Sequence, residues 1–462
     1  MKNRKLMSVA LAVVLLTALA VTAIASPAAF DQKIVSQISV SRMIEDVRYL
    51  SEDIGVRIAS SPEEEAASEY IANRFEKYGY DVEIQEFPYA NRIAYVTMLE
   101  PEAKKIDVRI GGSRTNAPLT GPEGITGKVV DCGYGGPEEF PAEVEGNIAL
   151  IRRGEQTFVN MYNNARAAGA VAVLIQNYSW TAFSANVSGA TIPYATLNDE
   201  AGELLRGDNV VINYKSIQVD TSRNVIATRK PNNKNKDTGY VVVFSAHYDS
   251  VPTAPGANDN GSGTAALMEL ARIFKSQPID TEIRFLACGS EEVGLVGSRY
   301  YVSQLSAEER ASIIANYNMD MVATAGEAQS LLYVNTLDGD NLVARTAREA
   351  AERLGYSDYL LAPYHRGSSD HQAFYEGGIE GGNFIWREPE TAALEPWYHQ
   401  PHDTMEHISE ERFKIAADIV GAASYSIIRP DTPSLIRSRT GYGGPIEHIE
   451  FVPEGAEETP DM

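Results

Sequence analysis

In Tyr240-Val-Val-Val-Phe-Ser-Ala-His247-Tyr-Asp249-Ser250 an apolar run ends in an imidazole and a carboxylate two residues apart, and Asn258-Asp259-Asn260-Gly-Ser-Gly263 follows. The run predicts a strand over 240–246, a loop carrying His247 and Asp259, and an apolar helix over 263–274. The unit then repeats. A strand over 282–288 precedes Glu291-Glu292 and a helix from about Val296. A strand over 313–319 ends at Asp320, and a helix over 341–354 comes later. A strand over 382–386 precedes the loop with Tyr398 and His399, and a closing helix spans about 409–428. Strand, loop and helix in alternation predict an α/β architecture, a three-layer, mostly parallel twisted sheet with helices on both faces. Ligands of such sheets sit beyond the carboxyl ends of the strands, and His247, Asp259, the Glu291-Glu292 pair, Asp320 and His399 all fall just past apolar runs. Two imidazoles and three carboxylates suit a pair of Zn²⁺ ions that share one carboxylate, leaving a further Glu to handle protons. That chemistry is hydrolytic.

Each residue also has an ordinary use. His247 and Asp249 point the same way on an extended segment, so Asp249 can accept a hydrogen bond from the imidazole and fix its tautomer; a surface His-Asp pair has the same spacing. Asp259 alone reads equally as a helix-flanking cap, and only its return to the shared sheet edge makes it a bridging ligand. Glu291 and Glu292 diverge in an extended loop, so one can bind metal while the other faces substrate. Asp320, in Asn-Met-Asp-Met, is expensive to bury without a cation. His399, beside Trp397 and Tyr398, also suits a hydrogen-bonded core histidine. On pattern alone His402 and His371, the latter beside Asp370, compete with it.

Upstream, Ser61-Pro62-Glu63-Glu64 supplies a cap, a proline at the first helical position and early acids, and a helix over 62–78 is expected to end at Gly79. Val82, Ile84 and 93–99 read as strands. From 112 to 215 the texture changes to short apolar strands at 127–130, 148–151, 170–175 and 192–195, with a helix over 158–168. This is a compact module inserted into a larger domain made of 26–111 and 216–430, whose strand over 224–228 resumes the main sheet.

The length of 462 residues suits two or three domains. Residues 1–25 carry Lys2, Arg4 and Lys5, an apolar run from Leu6 to Ile24 and a closing Ala23-Ile24-Ala25, which fits a secretory signal cleaved before Ser26; an uncleaved span is the alternative. Without those three cations, 40 basic residues become 37 against 63 acidic ones, a net charge of −26. That field disfavours nucleic acid and anionic membrane surfaces as partners, because both would be repelled. Cys132 and Cys288 each end an apolar strand and read as buried thiols. Residues 431–462 form an acidic C-terminal tail.

His247-x-Asp249, Asp259-Asn-x-Ser-Gly263, Glu291-Glu292-x-Gly-Leu-x-Gly-Ser298, Asp320, Ser369-Asp-His371 and Tyr398-His399-x-Pro-x-Asp403, in this order and spacing, resemble the M28 family of zinc peptidases over roughly residues 40–430. The inserted stretch resembles the protease-associated (PA) domain found in secreted aminopeptidases of that family. The resemblance implies a secreted aminopeptidase acting on the N-termini of peptides or proteins, with two Zn²⁺ ions. Asp259 would bridge them, His247 and Asp320 would complete one site, and Glu292 and His399 the other, leaving His402 at a variable position. It implies a metal-bound hydroxide as nucleophile, Glu291 as general base and Tyr398 steadying the oxyanion. One departure stands out: some relatives carry Arg directly before Ser-Asp-His, where this chain has Ser368, the nearest being Arg366. A carboxypeptidase or aminoacylase on the same scaffold would need a cationic pocket, and no Arg cluster lies beside the metal motifs. A non-catalytic binding relative should have lost ligands, and none is lost.

Overall fold

The computed structural model describes residues 28–113, 115–231 and 233–430. The expected signal and acidic tail lie outside the described residues. Among the described residues no helix is long and apolar enough to cross a membrane.

The central strand is Val241–His247, buried at every position, as expected where helices cover both faces of a parallel sheet. It pairs in parallel with Glu282–Cys288 on one side and Ile313–Met319 on the other, and Ile313–Met319 pairs in parallel with Gly381–Arg387. Beyond Gly381–Arg387 the sheet continues antiparallel to Leu331–Thr336, which pairs in parallel with the outermost Leu360–His365. On the opposite flank Glu282–Cys288 meets Val211–Arg229 in the antiparallel sense. The sheet is therefore mixed, with a parallel centre.

Alternation along the central strand divides the core. Val242, Phe244 and Ala246 join the larger layer, under helices Pro62–Tyr78, Gly263–Phe274, Leu342–Leu354 and Glu410–Ile428, while Val241 and Val243 pack with Tyr301, Val302 and Phe374 on the other face. Phe244 stacks on Phe285 at 4.7 Å between ring centres and lies 5.8 Å from Tyr317. Each such fully buried ring contributes about 1.5–3 kcal/mol relative to exposure.

Helix boundaries follow local chemistry. Ser61 accepts the N–H of Glu64, Pro62 opens the helix and Gly79 closes it in the left-handed conformation (φ 82°), so the expected span is met. Ser409 and Asn341 cap the helices starting at Glu410 and Leu342 by the same kind of bond.

Two expectations need correcting. The strands read at 82–84 and 93–99 are one continuous strand, Asp81–Glu100, and 224–228 is the end of another, Val211–Arg229. These two pair along nearly their whole length, with irregularities at Pro88/Asn91 and Met98/Glu100. The ribbon leads out of the main sheet into the inserted module, where Ile125–Asp131 pairs with Val211–Arg229 near Thr126 and Asn213. Ile125–Asp131, Ile148–Arg152, Ala172–Gln176 and Tyr194–Leu197 then form a parallel sheet with its own cores. Cys132 and Cys288 are both free and buried.

Candidate metal centre

The site lies at the carboxyl edge of the parallel strands. His247 is the last residue of its strand, Asp320 directly follows Met319, and Glu291-Glu292 begin three residues past Cys288. Asp259 is presented by the turn 257–262, which continues into helix Gly263–Phe274. Gly263 is required there, because a Cβ would collide with the carbonyl of Met319 and the side chain of Asn260. His399 and Met321 both hold left-handed backbone, at φ 58° and 55°, a conformation non-glycine residues adopt at a cost.

These residues converge. His247 Nε2 is 3.3 Å from Asp259 Oδ1 and 3.5 Å from Asp320 Oδ1. His399 Nε2 is 3.2 Å from Asp259 Oδ2 and 3.1 Å from Glu292 Oε2. Two donor sets result, His247–Asp259–Asp320 and Asp259–Glu292–His399, each with its ligand atoms within 4.8 Å of one another. Asp259 belongs to both and turns a different oxygen to each. Glu291 belongs to neither, with Oε2 3.9 Å from His247 Nε2.

The electrostatics call for cations. One imidazole N–H cannot serve several carboxylates, and Glu292 Oε1 and Asp320 Oδ1 are buried without a hydrogen-bond partner. Burial alone would lower the imidazole pKa values, but Glu291 at His247 and Glu292 at His399 lead a set of acids that hold both well above the usual value. Burial would raise Asp259, yet His247 and His399 hold it well below the carboxylate range. Burial pushes Glu291 well above that range, His247 opposing and Glu292, Asp370 and Asp320 adding to the rise. A set of N and O donors made of three carboxylates and two imidazoles fits divalent zinc.

A surrounding shell fixes these side chains. Asp403 accepts the N–H groups of Asn258 at 2.8 Å and Asp259 at 2.9 Å, one on each oxygen. Asp249 accepts those of Glu291 at 3.0 Å and Glu292 at 3.2 Å. It also stands 3.4 Å from His247 Nδ1. Beneath the loop the fully buried Arg57 donates to the carbonyls of Leu50, Gly55, Tyr248, Pro255 and Gly256. Glu64, also buried, accepts the N–H groups of Ser60 and Ser290 and the hydroxyl of Ser222; burial and then Asp249 push its carboxyl up to about 8. The sequence offered Glu64 only as an early helix acid and did not single out Arg57.

The competing histidines fall elsewhere. His371 Nε2 meets the Arg366 carbonyl at 2.9 Å, and burial pushes its pKa down to about 4. The His402 ring packs against Trp180 of the inserted module, 5.2 Å between centres. Tyr398 stacks on His399 at 3.7 Å and lines the pocket over both donor sets, together with Met321, Ile385, Leu394, Ser368, Arg366 and Arg387. The fold thus brings two guanidinium groups to a pocket beside which the sequence presents no Arg cluster.

Residues 224–424 match the model of peptidase family M28, and residues 125–205 match that of the PA domain. Aminopeptidase YwaD of Bacillus subtilis is 43% identical over 392 residues, covering 83% of this chain and 84% of its own. Among solved structures, BSAP, a zinc aminopeptidase from Bacillus subtilis, matches with a TM-score of 0.61 and 41% identity over 85% of this chain and 95% of its own. An aminopeptidase from Aneurinibacillus sp. strain AM-1 matches with a TM-score of 0.57 and 32% identity, over 87% and 96%. With these relatives and this donor set, the chain belongs to peptidase family M28.

Proposed function

We propose that this zinc-dependent metallo-aminopeptidase holds two Zn²⁺ ions, bridged by Asp259, and hydrolyses the N-terminal peptide bond of peptides or proteins with Glu291 as general base. The observation that carries the reading is the division of the carboxylates: Asp259 shared by two donor sets, Glu291 outside both. His247 and Asp320 hold one ion; Glu292 and His399 hold the other. When bound, zinc supplies Lewis acidity and lowers the pKa of water from 15.7 to about 7.

The chain's own groups do the rest. Glu291 takes a proton from the attacking water and delivers it to the leaving amine. The Tyr398 hydroxyl, raised by burial and then by Asp259, Glu292, Glu291 and Asp320, stays protonated and can donate to the developing oxyanion. The acidic rim favours a free α-ammonium, a physical reason to read the amino end. Asp249 and Asp403 act through the residues whose N–H groups they accept.

The proposal extends to architecture and location. Residues 26–111 and 216–430 form the catalytic domain, and 112–215 a PA domain that shades the cleft, supported by the Trp180–His402 contact. Residues 1–25 direct secretion, leaving an extracellular enzyme with no nucleic-acid or membrane partner.

The test compares a free-amine peptide with its N-acetylated twin, with zinc and with a chelator. Cleavage of only the free-amine peptide, abolished by chelation, is expected. Equal cleavage of both peptides overturns the reading.

A further inference from the structure

Arg387 ends the strand Gly381–Arg387 and shares its face with Ile385, a pocket residue two positions earlier. It is 5% exposed. Its Nη1 donates to the Ala392 carbonyl at 2.8 Å, and its Nε is buried without a partner. A guanidinium so enclosed is normally paired with an acid, yet among the described residues no carboxylate lies within ion-pair distance of it. Burial, and then the neighbouring Arg366, lower its pKa to about 10, so it remains charged at neutral pH. Arg366 lines the same pocket from the loop before Ser368 and is exposed. The same pocket has an apolar part to its wall, formed by Met321, Ile385 and Leu394.

We infer that Arg387, with Arg366, forms an anion subsite that receives a carboxylate of the substrate while its amino end lies at the metal centre. This rests on the aminopeptidase activity and adds to it a specificity determinant. Planar guanidinium groups bind carboxylates with two parallel hydrogen bonds, and a pocket that combines apolar wall with cations fits the methylenes and carboxylate of an acidic N-terminal side chain. The C-terminal carboxylate of a dipeptide offers the same chemistry. Arg387 is otherwise a strut for the Ala392 turn, a role indifferent to substrate charge.

The zinc-loaded full chain is assayed on Glu-Ala-amide, Gln-Ala-amide, Leu-Ala-amide and the free dipeptide Leu-Ala. An acidic side-chain subsite predicts kcat/KM for the Glu amide about 10- to 100-fold above that for the Gln amide, the scale of a hydrogen-bonded charge. A terminal-carboxylate subsite predicts a similar preference for Leu-Ala over Leu-Ala-amide. Either preference should shrink severalfold in Arg366→Ala and toward unity in Arg387→Met. The wild-type ratios need no variant, so a misfolded Arg387→Met leaves the test intact. Leu-Ala-amide reports the underlying activity, which separates a failed subsite from a failed aminopeptidase. Glu and Gln amides cleaved alike, together with Leu-Ala and its amide cleaved alike, overturn the subsite.

Discussion

Replacing Asp403 by Asn is nearly isosteric and alters no proposed ligand side chain, so it isolates how the proposed bridging residue Asp259 is held. Asp403 is fully buried and gives one oxygen to the Asn258 N–H and one to the Asp259 N–H. The amide keeps a single oxygen, so one of those N–H groups must face an NH₂. A buried donor left unsatisfied costs about 1–3 kcal/mol. Relief is also available: burial, and then Glu395, hold the Asp403 carboxyl well above its usual range, with Asp259 adding to the rise, and the neutral amide removes that repulsion. In the metal-free protein the two effects oppose each other, and we expect the urea midpoint to change by no more than about 1 kcal/mol in equivalent stability. With zinc bound the repulsion is already neutralised, so the misplacement of Asp259 is felt in full. The corresponding loss of zinc affinity is about 10- to 100-fold, the scale seen when outer support of a metal ligand is removed and the size of the unsatisfied donor at about 1.4 kcal/mol per decade. Competition with a chelator of known affinity, alongside urea titration of the metal-free variant, measures both. Unchanged zinc affinity in a folded Asp403→Asn would refute the claim that the loop bonds position Asp259.

Glu291→Gln should retain both ions, because Glu291 stands outside both donor sets, while turnover falls by about 10²–10⁴-fold, the usual scale for a general base; zinc content and kcat measured on one sample decide it, and near-wild-type turnover removes Glu291 from the role. The metal-free protein should lose stability with rising pH, because His247 and His399 are raised in the folded state. A raised imidazole pKa stabilises fully below its unfolded value of about 6.5, and that contribution disappears as pH climbs through the folded value. Zinc replaces those protons, so the zinc-induced rise in Tm should grow over the same range; a zinc shift in Tm that shrinks from pH 6.5 upward contradicts the charge assignment.

Much of the site was legible because the strands announce it. Val241–His247 is buried at every position and Glu282–Cys288 and Ile313–Met319 at most, so their sequences are mainly apolar and the acids just past their ends stand out. His399 was harder, lying twelve residues past the end of its strand, and came from its motif. Leu360–His365 escaped notice because Pro363 interrupts it, which an outermost strand tolerates. The continuous ribbon of Asp81–Glu100 with Val211–Arg229 was missed because polar residues such as Asn91 and Asp220 break the pattern of each strand, while the pairing joins segments far apart in sequence.

The supporting charges were less accessible. Glu64 sits between Glu63 and Glu65 at a helix start, and only the folded chain brings Ser222 and Ser290 to it. Arg57 left a fainter trace, a cation between Val56 and Ile58 in a short apolar stretch. Arg366 and Arg387 are 21 positions apart, and their meeting in one pocket depends on which strands are neighbours.

The central claim is a two-ion centre bridged by Asp259, and anomalous scattering at the zinc absorption edge from crystals of the zinc-loaded protein tests it most directly. Two peaks about 3.5–4 Å apart are predicted, one beside His247 and Asp320, the other beside Glu292 and His399, with Asp259 between them. A single peak under zinc-replete conditions, or two peaks with Asp259 touching only one, would contradict it.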